Sequence, residues 1–319
     1  MIKILANDGI SDDGKLLLEE AGYQVDTETV AQADLPKVLN NYDVLIVRSA
    51  TKVRKDLIDL CPNLKMVARG GVGLDNIDVE YARSKGIQVI NTPAASSQSV
   101  AELAFGHIFS LARFIHVANR DMPAKGTTEF KKLKEAYSDG MQLRGKTLGV
   151  IGFGRIGQAS ARIGLALGMK VLAHDPFVNT ADIDINVLDH DDTKLSIKVK
   201  TVDFEKVITN SDFITLHVPG SDKPLIGKEE IARMKNGVVL INTARGGTIE
   251  EDALLAGLES GKIGGAGLDV FVGEPTPRQE LLEHPRISVS PHIGASTIEA
   301  QANIGMELAE RIMEFFEAK

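Results

Sequence analysis

The sequence predicts an α/β chain carrying two doubly wound, mostly parallel sheets. Three observations carry this. The first ninety residues alternate short apolar runs with helical patterns. A second alternation starts near mid-chain, at Thr147, just before the glycine-rich stretch Gly152-Phe153-Gly154-Arg155-Ile156-Gly157. A last amphipathic helix lies beyond the final strand and is free to pack elsewhere.

In the first half, strands are predicted at Ile2–Leu5, Tyr23–Val25, Val44–Val47, Leu64–Ala68 and Ile87–Ile90. Helices are predicted at Asp13–Ala21, Leu35–Asn40, Lys55–Leu60 and Val79–Ser84. Thr92-Pro93 breaks the alternation, and Ser96–Ser99 supplies helix-start chemistry for one long apolar helix over 101–122. Glu102, His107, Arg113 and His116 interrupt that helix. No uncharged run approaches the roughly 18 residues of a membrane span, so a buried helix is expected. In the second half, strands at Lys170–Ala173, Phe213–His217, Val238–Asn242, Gly267–Val270 and Ile287–Ser290 follow the one at Thr147–Ile151. Six strands are what a complete dinucleotide-binding sheet uses. The stretch Val178–Lys200 is rich in Asp and Lys without a period, and reads as an extended surface loop with room for a hairpin around Leu195–Val199. The last helix is predicted over Ile298–Phe316.

A chain of 319 residues has room for two domains. Its hydrophobic content of 43 % and charged content of 25 % are those of a soluble globular protein. The net charge of −8 argues against a nucleic-acid partner, which needs a basic face. The single cysteine, Cys61, cannot form an internal disulfide and suits a reducing compartment. The chain opens on a strand rather than a signal peptide, so a cytoplasmic protein with no membrane partner is expected. No metal site is expected.

Strand before and helix after turn the glycine pattern into a dinucleotide fingerprint. Gly152 permits a tight turn, Gly154 lets backbone approach a pyrophosphate, and Gly157 lets helix and strand pack closely. The helix N-terminus offers free N–H groups to the phosphates. Asp175, 23 residues after Gly152, falls just past the next strand. An acid there accepts from both ribose hydroxyls and repels a 2′-phosphate, which favours NAD over NADP. Flavin nucleotides also use this pattern.

Ligands in such sheets bind beyond the carboxyl ends of the strands. Arg245, Asp269, Glu274 and His292 fall near such ends. They suit hydride transfer at an alcohol carbon. A histidine takes the hydroxyl proton, a nearby carboxylate favours the imidazolium, and a guanidinium grips a substrate carboxylate. Each residue alone also has an ordinary structural reading; their combination on one sheet edge is the signal.

Four blocks resemble the D-2-hydroxyacid dehydrogenases: Gly152–Gly157, Asn242–Gly247, Leu268–Phe271 with Glu274-Pro275, and Pro291–Ala295. Val47–Val53 and Arg69–Asp78 are similar to the D-3-phosphoglycerate dehydrogenase branch of that family. The resemblance covers essentially the whole chain. It implies a flavodoxin-like substrate domain (1–95 and 293–319) with a Rossmann NAD-binding domain (96–292) inserted in it. By resemblance, Arg245 holds the substrate carboxylate, His292 is the acid/base and Glu274 its partner. Arg155 and Ile156 offer N–H groups to the pyrophosphate, and Asp175 binds ribose. Val218 lies by the adenosine. Thr243, Ala244 and Asp269 neighbour the nicotinamide, with Gly294 and Ala295 also on the cofactor side. Gly70, Gly71 and Val72 line the cleft from the first domain, and Arg48 and Arg69 reach a substrate phosphate.

The resemblance implies interconversion of 3-phospho-D-glycerate and 3-phosphohydroxypyruvate, the first step of L-serine synthesis. It also implies a homodimer through the 101–122 helix, with a lysine of Phe130–Lys134 completing the partner's phosphate site. Longer members of the branch carry a regulatory ACT-type domain; serine feedback through one is not expected here. Two rival readings stay open: reduction of glyoxylate, hydroxypyruvate or another 2-oxo acid, and an NAD-sensing binding protein on the same scaffold.

Overall fold

The computed structural model describes residues 1–186 and 194–317. The chain forms two compact units: Met1–Ser99 with the segment from Ala295, and Val100–Gly294. In chain order the elements up to the first boundary are β1 (Lys3–Ala6), α1 (Asp12–Glu20), β2 (Gln24–Asp26), α2 (Leu35–Val38), β3 (Val44–Val47), α3 (Lys55–Leu60), β4 (Met66–Arg69), α4 (Val79–Ser84) and β5 (Gln88–Asn91). There follow α5 (Ser97–Ala112), α6 (Ile115–Ala136), β6 (Thr147–Ile151), α7 (Arg155–Ala166), β7 (Lys170–His174), β8 (Thr180–Asn186), β9 (Lys194–Lys200) and α8 (Phe204–Asn210). The chain continues through β10 (Phe213–Leu216), α9 (Lys228–Arg233), β11 (Val238–Asn242), α10 (Glu251–Glu259), β12 (Ile263–Leu268), α11 (Gln279–Glu283), β13 (Ile287–Val289) and α12 (Ile298–Glu317).

The first unit is a five-stranded parallel sheet in the order β2-β1-β3-β4-β5, the flavodoxin-like order. Its central strand β3, Val-Leu-Ile-Val, is buried along its whole length because helices cover both faces. On one face Leu35, Leu57, Ile58 and Ala82 pack on Leu45, Val47 and Val67. On the other, Leu18 of α1 and Ile304, Leu308 and Ile312 of α12 pack on Ile4, Ile46 and Met66. The last helix therefore completes the sheet that the first residues began. Helices α1 and α12 approach at Gly14 and Gly305: a Cβ on Gly14 would stand 2.5 Å from the Gly305 backbone, which excludes any larger residue.

The second unit is a six-stranded parallel sheet in the order β13-β12-β11-β10-β6-β7. Six named strands are present, as expected, but the outer strand beyond β7 is reduced to one parallel bridge, Ala173 with Thr201. Counting that bridge, the edge reads in the Rossmann order, with one strand more on the far side. The chain between β7 and the bridge is spent on β8 and β9, which pair antiparallel from Thr180↔Lys200 to Asn186↔Lys194. The hairpin expected around Leu195–Val199 is present as β9, and the loop expected before it holds the partner strand β8; Ile183 and Val199 are buried in the unit's core and hold the hairpin down. The expected span 187–193 lies outside the described residues.

Two further expectations are corrected. The predicted single helix over 101–122 is two helices, α5 and α6, bent by 59°. Phe114 sits at the break with φ 57, a left-handed conformation that ends the α5 ladder, and its ring stacks on Tyr137. Among the described residues no single helix is long and apolar enough to cross a membrane. Strand β12 covers Ile263–Leu268 rather than Gly267–Val270. Its run of glycines hides it from a hydrophobic pattern. Helix α5 presses on that strand: a Cβ would stand 3.0 Å from Leu111 at Gly265 and 2.6 Å from His107 at Gly267.

The ends of each unit meet. Ser99 Oγ and Thr297 Oγ1 are 2.8 Å apart in the first unit. In the second, a Cβ on Gly294 would stand 3.3 Å from Val100.

Candidate active site

Three neighbouring parallel strands, β11, β12 and β13, deliver the predicted polar residues at their carboxyl ends. After β11, the Asn242 side chain brackets a turn. Its amide donates to the Arg245 carbonyl at 2.9 Å, and its oxygen accepts from the Ala244 N–H at 3.0 Å. Arg245, half-buried, donates through Nη1 to the Ala244 carbonyl at 2.6 Å. Gly246 then passes so close to the Phe271 carbonyl that a Cβ would stand 2.0 Å from it. That approach sets the Arg245 turn beside the turn after β12.

In that turn Glu274 is oriented by its own loop. Its Oε1 accepts from the Phe271 N–H at 2.8 Å, and its Oε2 lies 2.7 Å from His292 Nδ1. A carboxylate only accepts, so Nδ1 carries the proton and Nε2 is left for a substrate atom. Both side chains reach solvent, with 49 % of His292 and 34 % of Glu274 accessible. His292 has φ 56, a left-handed conformation for a residue with a side chain.

Asp269 is 1 % exposed. Its Oδ1 accepts from Ser290 Oγ at 2.6 Å and the Ile293 N–H at 2.9 Å, and its Oδ2 accepts from the Gly294 N–H at 2.9 Å. Its observed work is to tie down the loop on both sides of His292. Sequence reasoning missed Ser290. The available signal was the pair Ser288 and Ser290, two residues apart and so on one face of an extended strand.

The fingerprint forms a cradle. Gly152 has φ 89, and a Cβ there would stand 2.4 Å from the His217 carbonyl and 3.0 Å from Val218. Nothing stands within 4 Å of a Cβ on Gly154, which caps α7; a Cβ on Gly157 would meet the Gly152 carbonyl at 2.0 Å. Arg155 and Ile156 open α7. Asp175 closes the turn: Oδ2 accepts from the Phe153 N–H at 2.7 Å, and Oδ1 from Phe177 at 2.8 Å and Val178 at 3.1 Å. Thr243 is buried, and its hydroxyl has no partner among the described residues. An open glycine and a helix N-terminus after β6, with an orphaned buried hydroxyl after β11 at the same carboxyl edge of the sheet, fit a dinucleotide.

In the first unit, Arg48 and Arg69 stand at the ends of neighbouring strands, with Val47 in register with Arg69. Asp8 fixes the Arg48 turn by accepting from the Arg48 N–H at 2.7 Å and from Thr51 Oγ1 at 2.6 Å. Gly70 and Gly71 are buried and Val72 is exposed. A cavity of about 220 Å³ is lined by Gly9, Ser11, Arg48, Gly70, Gln301 and Ile304, among others. Ala295 belongs to this unit and its carbonyl accepts from Gln301 Nε2 at 2.6 Å. Among the described residues no cluster of three or more His, Cys, Asp or Glu is arranged to hold a metal ion.

The family model for "D-isomer specific 2-hydroxyacid dehydrogenase, NAD binding domain" matches residues 105–294. A hydroxypyruvate reductase of Thermotoga maritima is 45 % identical, with 98 % of this chain and 97 % of that protein covered. A D-3-phosphoglycerate dehydrogenase of Bacillus subtilis is 41 % identical over 99 % of this chain but 57 % of that protein. Among solved structures, a glyoxylate reductase from Paecilomyes thermophila superposes with a TM-score of 0.83 at 27 % identity, covering 99 % of this chain and 95 % of that one. The matched family is an NAD-binding domain, which makes NAD the cofactor. The family model spans more than half of the chain and the Thermotoga maritima relative is similar along nearly all of it, and the chain belongs to the D-isomer-specific 2-hydroxyacid dehydrogenase family.

Proposed function

We propose that the chain is an NAD-dependent oxidoreductase interconverting 3-phospho-D-glycerate and 3-phosphohydroxypyruvate. The observation that carries this is the pair Arg48 and Arg69 at adjacent strand ends. A phosphate dianion needs cations beyond the one that holds the carboxylate, and paired guanidiniums match its oxygens. Arg245 pairs with the substrate carboxylate. Nε2 of His292 takes the C2 hydroxyl proton on oxidation and returns it on reduction. Glu274 fixes the ring and stabilises the imidazolium that forms. Asp175 receives the ribose hydroxyls and selects against a 2′-phosphate. The bound nicotinamide supplies the hydride acceptor or donor.

A second reading has its own support. The Thermotoga maritima protein that matches along nearly its whole length is named hydroxypyruvate reductase. Reduction of hydroxypyruvate needs His292, Glu274 and Arg245 but no phosphate grip.

Turnover of 3-phosphohydroxypyruvate, hydroxypyruvate and glyoxylate with NADH and NADPH separates the two. The phosphorylated substrate should have the highest kcat/KM, and NADH should be preferred. Arg48→Ala and Arg69→Ala should each cost the phosphorylated substrate about tenfold or more in kcat/KM and leave hydroxypyruvate nearly unaffected. Equal losses on both substrates would refute the phosphate role.

A further inference from the structure

A buried histidine that the proposed chemistry does not use lies behind the His292 loop. His107, on α5, is 4 % exposed. Its Nδ1 is 2.9 Å from Ser288 Oγ and its Nε2 is 2.9 Å from Ser290 Oγ. Ser290 Oγ donates to Asp269 Oδ1 at 2.6 Å. The direction of this chain follows from its carboxylate end. Ser290 commits its one proton to Asp269, so its oxygen accepts from Nε2–H of His107. Nδ1 then accepts from the Ser288 hydroxyl. Burial lowers the pKa of His107; Asp269 opposes that and His116 of α6 adds to it. The hydrogen-bond chain fixes the proton on Nε2, and burial favours the neutral ring, which leaves Nδ1 as the acceptor from Ser288. The strand behind it makes room, since a Cβ on Gly267 would stand 2.6 Å from His107 Cβ.

We propose that His107 is a positioning residue for His292, acting through Ser290 and Asp269. The proposal rests on the reading of His292 as the acid/base. His292 holds φ 56, a left-handed conformation that persists only when its surroundings impose it. Asp269 imposes it by holding Ser290 on one side and the Ile293 and Gly294 N–H groups on the other. Asp269 is aimed by Ser290, and the Ser290 hydroxyl is aimed by the donor on His107. Without that donor the hydroxyl turns to other acceptors and the loop loses one side of its anchor. Displacing a reacting atom by about 1 Å costs on the order of 10²-fold in rate.

The test measures kcat, KM and the pH–rate profile, using whichever of hydroxypyruvate and 3-phosphohydroxypyruvate is turned over faster. His107→Met keeps the volume and removes both hydrogen bonds. It should lower kcat about tenfold, leave the KM for that substrate and for NADH unchanged and shift the pH–rate profile. His107→Gln, whose amide can donate to Ser290, should recover most of the loss. Ser290→Ala should match His107→Met, and the double variant should be no worse than either alone. A wild-type kcat and profile in His107→Met, no rescue by Gln, or multiplying losses in the double variant would overturn the proposal. If His107→Met does not fold, Ser290→Ala decides: wild-type kcat and pH–rate profile there also overturn it. An active His292→Ala overturns the acid/base reading and this inference with it. An inactive His292→Ala beside an unaltered His107→Met overturns the positioning role alone.

Discussion

At the scale of single residues, buried imidazoles divide the labour with the exposed one. His217 sits with Nε2 2.9 Å from Ser160 Oγ and 3.0 Å from Thr215 Oγ1, and burial pushes its pKa down to about 3. A histidine held neutral in the fold takes up a proton when the chain unfolds. Its contribution is complete above the unfolded value near 6.5 and is lost as pH falls toward about 3. The apparent Tm should therefore decline steadily from pH 7 to pH 4.5, and His217→Gln should flatten the decline. An unchanged slope in His217→Gln would show that other groups carry it. The sequence made Arg245, Glu274 and His292 visible because each follows an apolar strand and interrupts it with charge. It did not reveal that Glu274 Oε1 takes the Phe271 N–H or that Asp269 is consumed by three donors. The first bond closes a turn and the three donors to Asp269 come from the neighbouring strand end, and neither turn closure nor adjacency across a sheet leaves a trace in local spacing.

At the scale of elements, legibility followed side-chain pattern. Strand β3 and helices α3 and α4 lie where the apolar periodicity puts them. Strand β12 departs from the expected position because the face it turns to α5 is made of absent side chains, Gly265 and Gly267. Those absences admit Leu111 and His107 of α5, so the strand is defined by its neighbour. The prediction is sharp: Gly267→Ala forces a methyl to within 2.6 Å of His107 Cβ. Overpacking of this kind costs about 1–3 kcal/mol. Chemical denaturation should show that loss, with kcat falling as well because His107 is displaced. A variant as stable as wild type would mean that α5 gives way freely. The break at Phe114 is invisible in the sequence for a different reason. Left-handed backbone at a residue with a side chain has no compositional signature, unlike the Gly152 turn.

At the scale of the whole molecule, the bent pair α5 and α6 leaves apolar surface in the open. Phe109, Ile115, Met122 and Phe130 are 41 %, 53 %, 43 % and 60 % exposed. Apolar residues gathered along two consecutive helices are a surface that association removes from water. We propose that two copies of the chain pair through it. Sedimentation at micromolar concentration should give twice the chain mass, and Phe130→Glu with Met122→Glu should give the single-chain mass. A monomeric wild type would refute this. Ser99 meets Thr297 and Val100 meets Gly294 where the chain leaves one unit for the other and returns. A cassette whose two ends touch adds almost nothing to the span its host must bridge, so the host sheet closes with or without it. The nucleotide-handling module is exchangeable in principle by cutting and rejoining at those two points.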